Sequence, residues 1–264
     1  MSSAPPMESP MSAKTPKPRV VLVSLDPQSY FEAAYRGLLI ELKSKATVEV
    51  AKTPNLAIKL LVDEPLPSVI LITDAALTLD HFEHVWAVIL NCVRQGCTSV
   101  VMGLFPGFAY FDKFRPFFSR AGLSWSASKY QTGSWTVNQA ATGSDLAAGL
   151  PARYYQKAVS VYNVAFSDAW YTTPSTPEPY VVNQRSSNSY CESAVAMARV
   201  GDGNLGYVGL TNSKKEAYTI VLAMCNFPIG EYFDEDWEWD EIRLITDLQR
   251  EKREKRENVL RVRE

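Results

Sequence analysis

The residues Gly103-Leu104-Phe105-Pro106-Gly107 follow the apolar run Val100-Val101-Met102. Many α/β enzymes end a strand in Gly-x-nucleophile-x-Gly, a sharp turn that lifts a Ser or Cys above the sheet. The third position here is Phe105, which carries no atom able to attack a carbonyl, and the fourth is Pro106. Proline has no backbone N–H to offer an oxyanion. Gly103, Phe105, Pro106 and Gly107 therefore make a degenerate nucleophile turn, and no catalytic residue is assigned there.

Other residue types could still do chemistry. Asp26 and Asp74 each follow an apolar run. Two strand-end carboxylates in one sheet could hold Mg²⁺ or work as general acid and base. Residues 19 to 80 loosely resemble a response-regulator receiver plan, but Asp26 lies between Leu25 and Pro27, without an adjacent acid. Asp also caps turns well, and that purely local role is favoured over the receiver plan. With Phe105 and Phe108, the two Asp residues define a candidate ligand pocket above the turn. The only histidines, His81 and His84, stand at i,i+3 beside Asp80. Without a third His the spacing is a poor metal set, and no metal site is assigned. The cysteines Cys92, Cys97, Cys191 and Cys225 form no C-x-x-C pair, which suits reduced core thiols. There is no Gly-rich phosphate cradle. "SLDPQS" after the first strand sets hydroxyls near a helix start, which favours anions, but lacks the glycine for close approach. No cofactor is expected. Ser124, Ser126 and Ser128 lie near Trp125, Tyr130 and Trp135, a set that would suit a sugar if exposed and a core if buried.

These residues need elements to position them, and the hydrophobic pattern supplies an alternation. "RVVLVSL" (19 to 25), "ATVEVAK" (46 to 52), "SVILITD" (68 to 74) and "TSVVMG" (98 to 103) read as strands. Continuous β-branched runs mark strands buried on both faces. Helices are expected over 29 to 45 with Ser29 as N-cap, over 54 to 64 with Pro54 in the first turn, and over 77 to 96 between Thr78 and Gly96. A fourth is expected over 110 to 122. Short joints between strand and helix imply right-handed crossovers and a parallel sheet. The predicted fold class is a three-layer, doubly wound, mostly parallel α/β sandwich, Rossmann-like or flavodoxin-like. Ligands in such sheets sit beyond the carboxyl ends of the strands.

The middle of the chain is less regular. Strands are expected near 133 to 139 and 158 to 167, a helical turn near 145 to 151, and an exposed Pro/Ser/Thr loop over 171 to 189. "SAVAMARVGDGNLGYVGL" (193 to 210) reads as two strands around Asp202-Gly203, a turn signal that needs positive φ. A closing helix is expected over 213 to 227, with Ser213 as N-cap. The chain divides into a disordered tail over 1 to 18, one α/β domain over 19 to 228, and a distinct segment over 229 to 264. That segment opens with "EYFDEDWEWDE", acids around Tyr232, Phe233, Trp237 and Trp239, and continues as a charged helix. Acids keep large aromatics solvated and available, so these four are candidate partner-binding residues, or they dock on their own domain.

Bulk properties narrow the classes. The 264 residues carry a net charge of −2, with 46% apolar and 21% charged positions. That balance gives no drive toward nucleic acid or anionic membrane. No run reaches the roughly 18 apolar residues needed to span a bilayer, and the start does not resemble a secretory signal. A cytoplasmic or nuclear protein with a protein partner is the expectation.

The turn "GLFPG", the stretch "FDKFRPFFSRAGLSW" with "SWTV", and the final "VAMARVGDGNLGYVGL" before a last helix resemble the class I glutamine amidotransferase-like superfamily, and within it the ThuA-like group. The resemblance covers roughly residues 19 to 227. The opening "VVLVSLD" and the ending "LGYVGL" also resemble an uncharacterised fungal group. Membership implies the α/β fold above. In catalytic members the strand-end turn bears Cys, and a His-Glu or His-Asp pair lies near the last strand. Phe105 stands at the nucleophile's place, Pro106 at that of the oxyanion donor, and "TNSKKEA" after "GYVGL" holds no His. Glutamine hydrolysis is therefore not expected. The leading expectation is a catalytically silent interaction module. The alternative is a ThuA-like or other hydrolase acting on a small or sugar-like substrate through Asp26, Asp74 and Glu192.

Overall fold

A computed structural model describes residues 17–26, 28–173, 190–211 and 215–229. The expectations for most of the 1 to 18 tail, most of the 171 to 189 loop, Ser213 and nearly all of the 229 to 264 segment lie outside the described residues.

The expected alternation forms. β1 (Arg19–Val23), β2 (Thr47–Ala51), β3 (Val69–Ile72) and β4 (Thr98–Val101) run parallel, and β9 (Gly203–Val208) joins β4 in the same sense. Their order is β2-β1-β3-β4-β9. Counting parallel strands alone, this is compatible with the flavodoxin-like order, whose switch point lies between β1 and β3. Alternate β1 residues enter different cores: Val20 and Leu22 one, Val21 and Val23 the other. Period-two alternation of side chains makes this unavoidable in a strand covered on both faces.

The helices are α1 (Phe31–Ala34), α2 (Arg36–Lys45), α3 (Pro54–Val62), α4 (Glu83–Arg94), α5 (Phe105–Phe108), α6 (Phe111–Ser119), α7 (Gln139–Thr142), α8 (Ser144–Gly149) and α9 (Lys215–Met224). The helix expected over 29 to 45 is broken at Tyr35, and no side chain caps α1. The start of the one expected over 77 to 96 is two 3₁₀ turns, Ala76–Thr78 and Asp80–Phe82. Thr78 is accordingly no N-cap; its hydroxyl donates to Ala75 O at 2.7 Å. α3 begins as read, with Pro54 in its first turn and the Thr53 hydroxyl accepting from Leu56 N–H at 3.3 Å.

The larger correction concerns the middle of the chain. β5 (Ser126–Val137), β6 (Arg153–Ala165) and β7 (Ala169–Thr172), where short or irregular pieces were expected, join the expected β8 (Tyr190–Val200) in an antiparallel extension. The sheet is thus mixed, ordered β2-β1-β3-β4-β9-β8-β6-β5-β7, and β7 pairs with β8 as well as with β5. Strand registers slip between Ala127 and Tyr130 and between Val161 and Val164. Such bulges bend and twist long strands.

The β8–β9 turn forms, but its positive φ falls on Gly201 (63°), not Gly203. Gly203 is glycine for another reason. A Cβ there would lie 2.1 Å from Cys97 O.

Candidate functional site

β1, β3 and β4 are neighbours, so their carboxyl ends place three short segments side by side. Val23 pairs with Ile72, and Ile72 with Val101. The segments beyond are stitched together: Thr73 N–H donates to Val23 O at 3.1 Å, Met102 N–H to Ile72 O at 2.9 Å, and Leu104 N–H to Thr73 O at 2.9 Å. Thr73 also donates its hydroxyl to Val23 O at 3.1 Å.

Asp74 is the polar centre of this edge and is 5% exposed. Its Oδ2 accepts from Asp26 N–H and its Oδ1 from Ala76 N–H, each at 3.0 Å. Burial pushes its carboxyl up from the usual range, against the lowering effect of the Ala76 and Asp26 amides and the Ser24 hydroxyl. Asp26 meets it through the main chain while its own side chain is exposed. Its charge adds to the rise at Asp74 and, after burial, at Tyr30. The two Asp residues are therefore brought together, but as a carboxylate fastening a backbone turn. Ser24 and Thr73 brace that turn and were missed in the sequence; the signal was a small hydroxyl residue directly after each apolar run.

The 103–107 turn sits on the neighbouring strand end. Gly103 has φ of 70°, and a Cβ there would lie 3.0 Å from Thr73 O. Glycine is required on both counts. Phe105 opens α5 and is 0% exposed. Its ring meets Phe114 edge-on and Phe117 at a tilt, with centroids 5.5 and 5.2 Å away. Pro106 is buried and Gly107 exposed. Phe108 is half-buried and packs against the opposite core from Phe105. The four residues of the candidate pocket thus separate: Asp26 and Asp74 join, while Phe105 and Phe108 point to different faces of the sheet.

The remaining candidates disperse. Asp80, His81 and His84 are exposed. Among the described residues no group of His, Cys, Asp and Glu is arranged to hold a metal ion. Cys92, Cys97 and Cys225 are buried free thiols, and Cys191 is half-buried. Burial pushes Cys97 up to about 12 and Cys191 up to about 11. Such thiols stay protonated and are poor nucleophiles. Trp125 and Trp135 are buried, leaving Tyr130 as the exposed ring of that group. Glu192 accepts a short hydrogen bond from the buried Ser160 hydroxyl and one from Gln131 Nε2 at 3.4 Å. That network lies on the antiparallel strands β5, β6 and β8. Tyr232, Phe233, Trp237 and Trp239 lie outside the described residues.

Five parallel strands extended by antiparallel ones, with a tight glycine turn after β4, define a mixed α/β fold. Its structural neighbours include putative ThuA-like proteins. One, from Bacteroides uniformis, superposes with a TM-score of 0.50 at 10% identity, over 83% of this chain and 94% of its own. Another, from Parabacteroides merdae, gives 0.49 at 10% identity, over 83% and 93%. No protein-family model matches the sequence, and no curated protein matches it. At such identity the likeness concerns the fold. Among the described residues, no helix is long and apolar enough to cross a membrane.

Proposed function

We propose that this chain is a non-catalytic interaction module on a doubly wound α/β domain, with the segment after Pro228 binding a protein partner or regulating the domain. One observation carries the first half. The position that a nucleophile would occupy holds Phe105, fully buried among Phe114 and Phe117. The next residue, Pro106, offers no N–H, and loss of one such donor alone lowers rate by about 10² to 10³. Asp74 supports the same reading, because both its oxygens already accept backbone amides. The second half rests on the acidic-aromatic composition of residues 231 to 241.

Affinity capture with the full chain, set beside a chain ending at Pro228, tests the partner role. Partners recovered only by the full chain are expected. Identical recovery by both would end the claim. Turnover of an amide or ester, or a covalent acyl adduct on purified protein, would overturn the non-catalytic reading independently.

A further inference from the structure

The amino edge of the sheet holds a second concave place. A cleft of about 640 Å³ opens where β1, β3 and β4 begin, next to the end of α9. Its walls are largely apolar: Pro18, Val69, Phe227 and Pro228. Lys45 lines it, paired with Glu41 at 2.6 Å, and none of the described lining residues is acidic. Lys17, one residue before the lining Pro18, adds a second cation, with Nζ 2.9 Å from Ser44 O, and the last turn of α2 carries Lys43 as well as Lys45. The volume is in the range that receives small ligands or a pair of large side chains, roughly 300 to 1,000 Å³.

We propose that residues 231 to 241 of this same chain occupy the cleft. Trp237 and Trp239 fill the apolar space, and their acidic neighbours face Lys17, Lys43 and Lys45. Three observations select this occupant. The described chain runs through the cleft wall at Phe227 and Pro228 and continues to Ile229, which packs against the domain core. Trp239 follows only ten residues later, a reach of at most about 36 Å. The segment has the complementary chemistry, with seven acids and four aromatic rings in eleven residues. Residues 1 to 16 also lead to the cleft, through Pro18, but contain no aromatic residue. A short tether gives an effective concentration of about millimolar, so even a weak contact stays closed. The inference deepens the regulatory half of the proposed function. A partner that binds Trp237 and Trp239 must first draw them from the cleft.

The test uses the full chain. A carbodiimide joins Lys to Asp or Glu only at contact, and peptide mass spectrometry of the monomer fraction locates the links. Links from Lys17, Lys43 or Lys45 to acids between Glu231 and Glu241 are expected. Maleimide labelling of Ser68→Cys, an exposed position lining the cleft, gives a second reading. Labelling should quicken at least fivefold when Trp237→Ala and Trp239→Ala are added, substitutions outside the domain core. Absence of the links, links found only between two copies, or an unchanged labelling rate would each overturn the proposal. None of these outcomes touches the partner-capture comparison, which stands or falls by itself.

Discussion

Replacing Phe105 by alanine removes a fully buried ring from contact with Phe114 and Phe117. Loss of a buried Phe side chain costs about 3–5 kcal/mol, because the lost transfer energy is joined by the cavity left behind. The surroundings of Phe105 favour the upper part of that range. Gly103 and Pro106 hold the backbone on either side, so the turn cannot collapse into the space. Each kcal/mol shifts the melting midpoint of a domain this size by about 2–4 °C, so a fall of about 10 °C or more is expected. Denaturant and thermal unfolding both measure it. Phe111→Ala, which removes a ring that is 44% exposed, is the control and should cost about 1 kcal/mol or less. Phe105→Cys carries the test into chemistry. It puts a thiol at the third position of the turn, yet burial would hold it protonated, as burial does Cys97. It should lose stability by about 3 kcal/mol and form no acyl adduct with an activated ester or glutamine analogue. A loss below about 1 kcal/mol for Phe105→Ala, or an acylated Phe105→Cys, would refute the reasoning.

Other outcomes follow from single contacts. Gly201→Ala should cost more than about 2 kcal/mol in denaturant unfolding, since φ is 63° and the new Cβ would meet Arg94 Cα at 2.7 Å. Gly107→Ala, in a helical turn with nothing within 4 Å, should be neutral or stabilise by up to about 1 kcal/mol. Asp74→Asn should destabilise by about 1–3 kcal/mol, because an amide nitrogen must then face either Asp26 N–H or Ala76 N–H. The pH dependence has a definite sign. The folded-state value of Asp74 lies above the ordinary one for an Asp, so its titration favours the fold below the ordinary value and this contribution is lost as pH rises through the raised one. The stability gap between wild type and Asp74→Asn, followed by unfolding from pH 7 down to 3, should widen in acid; a narrowing gap would contradict the burial argument. Thr53→Ala should cost about 1 kcal/mol, the worth of an N-cap that accepts from Leu56 N–H.

The parallel half of the sheet was legible because its strands advertise themselves. "VVLV" and "VILI" are apolar at every position, as burial on both faces demands, and Thr53-Pro54 carries the start of α3 in its own residue types. The antiparallel half hid for the opposite reason. β5 reads "SASKYQTGSWTV", and most of its residues are only partly covered. Its slip between Ala127 and Tyr130 further breaks the period of two. At the carboxyl edge, residue types could be read but facing could not. Asp26 and Asp74 were expected together and are, through a backbone amide rather than two converging carboxylates. That Phe105 and Phe108 part company depends on how Gly103 turns the chain into α5, which nothing in the letters specifies.

The pairing of β8 with both β6 and β7 closes the antiparallel strands on themselves. Among the described strands, β2 ends the parallel side of the sheet, and its outer side has no partner. Unclaimed main-chain groups on such a margin invite addition of a foreign strand. β2 is only five residues long, carries Glu49 at its centre, and is flanked by Lys45 and Lys52. Short length and alternating charge are the usual guards against edge-to-edge stacking, so β2 carries in its own residues a protection against fibril growth.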